Sequence, residues 1–256
     1  MSRSRKHPGS FRGHDDWLDM SPFVVHITKP ASVDELTKPG PARGRGLTRE
    51  EFWERLRYHQ AEHDDGELTM RDILGSRQLL TGSAPQGSAR RVKGLGESQR
   101  VVSFSEVPLH LAKRIARNRS KHGIGFRKEW LITHGGIPTW YVDQRSQQAK
   151  LLNKLIRENA RGGAHLDDPV WQLTPHIDQP GWYGKPQYYE EEREWRVVGP
   201  LGFQPSDVAF LMLPERLHAA ARAFFSPSPE GLIGPSYLCP YIDVDWPLDR
   251  IRDALA

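Results

Sequence analysis

Two polar side chains interrupt apolar, strand-like runs far apart in the chain. His26 lies within Phe23-Val24-Val25-His26-Ile27-Thr28, and Glu194 heads Glu194-Trp195-Arg196-Val197-Val198. A carboxylate set beside a ribose stabilises the oxocarbenium-like transition state that forms when a nicotinamide–ribose bond breaks, and it can hold a ribose hydroxyl. A histidine on a neighbouring strand adds a hydrogen bond from the other side, a nearby hydroxyl supports the adenosine end, and an aromatic ring stacks on the departing base. His26, Thr28, Phe104 and Glu194 are this chain's candidates for those parts. The chemistry requires the imidazole of His26 and the carboxylate of Glu194 to converge on one cleft.

Each of these residues also has an ordinary role open to it. His26 suits a half-buried strand histidine bonded to a backbone carbonyl, Phe104 suits a core ring, and Glu194 ends the charged run from Tyr188, which suits a solvated face. What favours Glu194 is strand alternation, which turns it toward one sheet surface while Trp195 takes the other. Glu192, two residues earlier, shares that face and is the reserve acid. Arg127 and Lys128 close a strand inside a basic region and suit either a pyrophosphate or solvent. Arg196 suits pairing with a nearby acid.

The elements that must carry these residues are read from pattern. Alternation predicts strands at 22–28, 101–105, 123–127, 138–142, 193–199, 207–213 and 237–243. Helices are expected at 49–63, 70–75, 107–119, 145–160 and 215–225, with a short one that stops at Gly135-Gly136 and another after the capping box Ser32-Val33-Asp34-Glu35. Leu151, Leu152, Leu155 and Ile156 are expected to form the buried stripe of the helix at 145–160. The Pro- and Gly-broken stretch 38–46 reads as a loop, and 81–100 as a surface loop over a pocket. Strands and helices interleave irregularly without an internal repeat, which predicts an α+β fold with a mixed or split β-sheet flanked by helices. Residues 1–20 read as a flexible basic tail and 21–256 as a single domain.

His59-Gln60-Ala61-Glu62-His63 has the H-x-x-E-H spacing of inverted zinc peptidases on an expected helix. Packed or capping histidines are the ordinary account of it, no third ligand is evident downstream, and no metal is assigned. The sequence holds neither a Gly-rich phosphate loop nor a nucleophile elbow. The single cysteine, Cys239, stands before Pro240 in an apolar strand and reads as buried and inert, which also fits a reducing cytoplasm. The longest apolar run, 208–213, is far short of the ~20 residues of a membrane helix, so no membrane association is expected.

The formal charge of +4 is unevenly spread. Residues 101–161 hold 12 Lys and Arg against 4 Asp and Glu, whereas 162–256 hold 7 against 14. A basic middle and an acidic C-terminal third attract phosphates or pack against one another.

Taken in order, His26-x-Thr28 on a first strand, Ser103-Phe104-Ser105 on an apolar strand and Glu194 before a late strand resemble the three-motif pattern of ADP-ribosyltransferases, with the DarT-like enzymes that modify nucleic acid as the nearest analogy. The segments 101–109, 122–126 and 192–196 are also similar to AbiGi-type abortive phage-resistance proteins. The resemblance spans roughly residues 20–215. It implies an ADP-ribosyltransferase-like fold, NAD as substrate, and a nucleic acid or an associated protein as acceptor. His26 would contact the ribose, Thr28 would support it, Phe104 and Ser105 would line the nicotinamide pocket, and Glu194 would be catalytic. The middle motif departs from the tyrosine or Ser-Thr-Ser of commoner versions. A non-enzymatic antitoxin, or a module that binds nucleic acid or a toxin partner, is the alternative.

Overall fold

Strand β1 (Phe23–Ile27) is apolar at every position but His26, and β-branched and aromatic residues of that kind favour a pleated, buried segment. In the computed structural model it lies inside a seven-stranded sheet of order β11-β10-β4-β1-β3-β8-β5. The other strands of this sheet are β3 (Val101–Ser105), β4 (Gly123–Arg127), β5 (Ile137–Pro138), β8 (Glu194–Val198), β10 (Val208–Met212) and β11 (Tyr241–Ile242), of which β3 and β4 flank β1. All neighbours run antiparallel except β10 and β11, which are parallel. Short strands β2 (Gln78–Leu79) with β9 (Leu201–Gly202), and β6 (Trp140–Tyr141) with β7 (Ile177–Asp178), pair outside this sheet. The structure describes residues 21–28, 65–106, 108, 112–113, 116, 120–179, 193–224 and 236–256.

One face of the sheet is apolar apart from His26. Val24, Val102, Phe104, Ile124, Phe126, Trp195, Val197 and Leu211 bury against Met70 and Leu74 of helix α1 (Asp65–Ser76) and Leu131 of helix α2 (Lys128–Thr133). The opposite face changes character across its width. Under β1, β4 and β10 it is apolar, where Phe23, Val25, Ile27, Phe210 and Met212 pack against Ile242, Val244 and Ile251. Gly125 is needed there because a Cβ at that position would come within 2.4 Å of the Phe210 ring. Under β3 and β8 the same face carries Ser103, Ser105, Glu194 and Arg196, in register as Ser103↔Arg196 and Ser105↔Glu194. That change from apolar to polar marks the site.

Helix α3 (Gln147–Ala160) starts at Ser146, whose hydroxyl accepts from the Ala149 amide, and is followed by Gly163 at φ +93°. Only part of its expected stripe is buried. Ile156 packs with Leu152 against Ala89, Leu95 and Trp171 of helix α4 (Pro169–Leu173), whereas Leu151 and Leu155 are 56% and 46% exposed. Residues 81–100 follow this small core instead of roofing the cavity described below. Helices α5 (His218–Phe224) and α6 (Leu248–Leu255) complete the flanks, giving a single domain with a mostly antiparallel sheet between helices. The strand expected at 138–142 breaks at Thr139, which divides β5 from β6. That expected at 237–243 contracts to Tyr241–Ile242. The helices expected at 49–63 and after Ser32, the loop at 38–46, the 1–20 tail and most of 107–119 lie outside the described residues. Among the described residues, no helix is long and apolar enough to cross a membrane.

Candidate functional site

Glu194 begins β8 directly after Arg193, whose φ of 43° places it in the left-handed region that side chains disfavour. Two backbone bonds pin this turn: the Glu106 amide donates to the Arg193 carbonyl at 3.1 Å, and the Thr139 amide to the Glu194 carbonyl at 2.7 Å. The carboxylate is thereby set on the polar face. Ser103 Oγ donates to Glu194 Oε1 at 2.6 Å, and Tyr141 Oη to Oε2 at 2.6 Å. Arg196, two residues on and therefore on the same face, adds Nε to Oε1 at 3.0 Å and Nη2 to Oε2 at 2.9 Å.

Arg196 is itself buried and extends the network. It donates to the Pro175 carbonyl at 2.8 Å and to Asp178 Oδ2 at 2.9 Å, while Arg90 reaches Asp178 Oδ1 at 3.0 Å. Burial pushes the Glu194 carboxyl up, but the Arg196 guanidinium and the Ser103 and Tyr141 hydroxyls outweigh it and hold the group below the usual carboxylate range. Glu194 is an anion at neutral pH. His176, in the turn that wraps Arg196, is pushed down by burial and by the Arg196 charge, and its Nδ1 is buried without a hydrogen bond among the described residues.

A cavity of about 300 Å³ opens at the ends of β3 and β8, lined by Glu106, Pro138, Thr139, Tyr141, Arg193, Glu194 and Trp195. Glu194 and Glu106 stand on its walls. Glu106 is ion-paired with Lys128, and its Oε2 accepts from Trp195 Nε1 at 2.7 Å.

The other residues singled out in the sequence are not gathered at this cavity. Val25 is in register with Ser105, and Ser105 with Glu194, so Val25 shares the Glu194 face and His26 takes the opposite one. The His26 ring meets the Ser103 carbonyl through Nδ1 at 2.9 Å and stands edge-on to Phe104 at 5.8 Å. The expected convergence with Glu194 in one cleft does not occur, and the backbone-bonded strand histidine describes residue 26. Thr28 is fully buried, and its Oγ1 faces the Gly66 and His122 carbonyls at 2.8 and 3.1 Å, tying β1 to α1 and β4. Phe104 is a core ring, 5.9 Å edge-to-face from Phe126. Ser105 is buried opposite Glu194 in register, but does not line the cavity. Arg127 is exposed, with its guanidinium 5.7 Å from the Phe23 ring centre, and Lys128 is engaged by Glu106. Glu192 and the His59-Glu62-His63 set lie outside the described residues. Among the described residues no group of three or more His, Cys, Asp or Glu is placed to hold a metal. Burial raises the Cys239 thiol to about 12, which keeps it inert.

Sequence reasoning missed Ser103, Tyr141, Asp178, His176 and Glu106. For Ser103 a signal existed, since alternation puts it with Ser105 on one face. Tyr141 and Asp178 arrive through the β6–β7 pair, which joins residues 37 positions apart in the register Trp140↔Ile177 and Tyr141↔Asp178 and leaves no local pattern.

Comparison of the chain with protein-family models, with curated proteins and with solved structures finds no match.

Proposed function

We propose that the protein is a cytoplasmic, NAD-consuming ADP-ribosyltransferase-like effector of bacterial phage defence, which transfers ADP-ribose to a nucleic acid or an associated protein. The reading is carried by one observation: Glu194 is held ionised by Arg196, Ser103 and Tyr141 at the wall of an open cavity. A fixed anion at that place stabilises an oxocarbenium-like sugar without reorganising. Both Glu194 oxygens already accept two hydrogen bonds, so a ribose hydroxyl enters by displacing a donor. Tyr141 is that donor, because its ring lines the cavity while Ser103 and Arg196 do not. His26 and Phe104 have no part in this version. The biological setting rests on the resemblance of the three short segments alone.

The filled acceptor set of Glu194 favours a second reading, a non-enzymatic antitoxin or partner-binding module in which the network is structural. Incubation with NAD labelled in its adenylate phosphate and with bacterial extract, followed by nuclease or protease, separates the two. Label released by one digestion supports the transferase and names its acceptor class. The absence of both nicotinamide release and bound label supports the binding module.

A further inference from the structure

Glu106 faces the same cavity as Glu194, and its hydrogen bonding is different in kind. Glu194 has both oxygens doubly engaged. Among the described residues Glu106 has one donor on each, Lys128 Nζ on Oε1 and Trp195 Nε1 on Oε2, so each oxygen keeps an acceptor position. The Glu106 side chain is only 11% exposed; the lysine and the indole hold its carboxylate, and its amide ties the backbone to the Arg193 carbonyl. Glu106 stands immediately after β3, and alternation puts it on the Phe104 side of the sheet, whereas Glu194 hangs from the other side. The two carboxylates therefore reach the cavity from opposite faces, at the strand ends where the sheet no longer separates them.

We infer that Glu106 is the second catalytic carboxylate of this site and takes the proton of the acceptor group. The inference rests on the transferase reading and adds the nucleophile's side of the reaction. The C1′–N bond breaks, and its electron pair leaves with neutral nicotinamide while Glu194 faces the positive sugar. An acceptor O–H or N–H bonded to the open side of Glu106 forms the new bond to C1′ through its lone pair, and its proton passes to the Glu106 carboxylate and on to water. The acceptor class is accordingly a group that donates a hydrogen, a hydroxyl or an N–H, and not a tertiary amine or a thioether. Lys128 and Trp195 act as positioning residues, since they hold the carboxylate without occupying its outer lone pairs.

The test is the partition of labelled NAD between hydrolysis and transfer, measured as macromolecule-bound label per nicotinamide released in bacterial extract. Glu106→Gln is compared with wild type and with the double variant Glu106→Gln/Lys128→Met, which leaves no unpaired lysine in the core. In both variants bound label per nicotinamide released is expected to fall at least about tenfold, since a general base contributes on the order of 10²-fold or more. Because the ratio comes from active molecules only, partial unfolding does not move it. An unchanged ratio in the double variant overturns the role of Glu106 and leaves Glu194 standing. Wild-type protein that releases no nicotinamide overturns the transferase reading itself, and this inference with it.

Discussion

Arg196 follows Glu194 by two residues on β8, and because alternate residues of a strand share a face, its guanidinium lies bidentate against the Glu194 carboxylate at 3.0 and 2.9 Å. The arginine is only 2% exposed and also pairs with Asp178, which it shares with Arg90. Everything at the site is arranged around this pair.

Removing the cation leaves the buried Glu194 without its arginine, while Asp178 keeps Arg90. Arg196→Met is expected to destabilise the fold by about 3–5 kcal/mol, the cost of breaking a buried pair on one side. Urea denaturation measures it, and a loss under about 1 kcal/mol would show the network to be far better solvated than its burial indicates.

Stability should respond to acid in two steps. Folding lowers the His176 imidazole from its ordinary 6.5, so the unfolded chain binds a proton that the folded one refuses, and stability falls as pH drops below that value. Folding also lowers the Glu194 carboxyl from 4.5, so its contribution is whole above that value and is lost as pH falls through the lowered one. Urea midpoints should therefore decline between about pH 7 and pH 5.5 less steeply in His176→Gln than in wild type. Glu194→Gln should flatten only the portion below 4.5. Identical slopes in all three proteins contradict the assignment.

His26 now has a structural role. His26→Gln is expected to cost about 1 kcal/mol through the weakened bond to the Ser103 carbonyl, and to leave nicotinamide release within about twofold. A hundredfold loss of turnover with an intact fold would restore the imidazole to the cleft.

At Gly125 the constraint is steric. Gly125→Ala drives a methyl into the Phe210 ring and should cost about 1–3 kcal/mol in thermal or urea melts, without changing the spectroscopic signature of the sheet. A neutral result means that the ring moves aside freely.

Local pattern made much of the sheet legible. β1, β3, β4, β8 and β10 each fall within a run whose apolar content needs no distant partner to be recognised. Relations between strands were not legible. Whether residues 26 and 194 share a face depends on the register Val25↔Ser105↔Glu194, and shifting one pairing by a single residue reverses the answer. The same limit explains α3. Its periodicity gives two adjacent apolar rows, and only contact with Trp171 decides that Leu152 and Ile156 are inside while Leu151 and Leu155 face out. The basic middle and the acidic C-terminal third do meet, where Lys113 and Lys121 both pair with Asp245 at 2.8 and 2.5 Å. That contact takes up part of the charge that a nucleic acid would otherwise use.

The most direct measurement is nicotinamide release from NAD by purified wild-type protein and by Glu194→Gln, with circular dichroism to show that both are folded. The account predicts turnover by the wild type and at least about a hundredfold loss in the variant, the scale of removing a preorganised electrostatic contact to a transition state. Equal turnover by the two folded proteins, or none by the wild type, would contradict it.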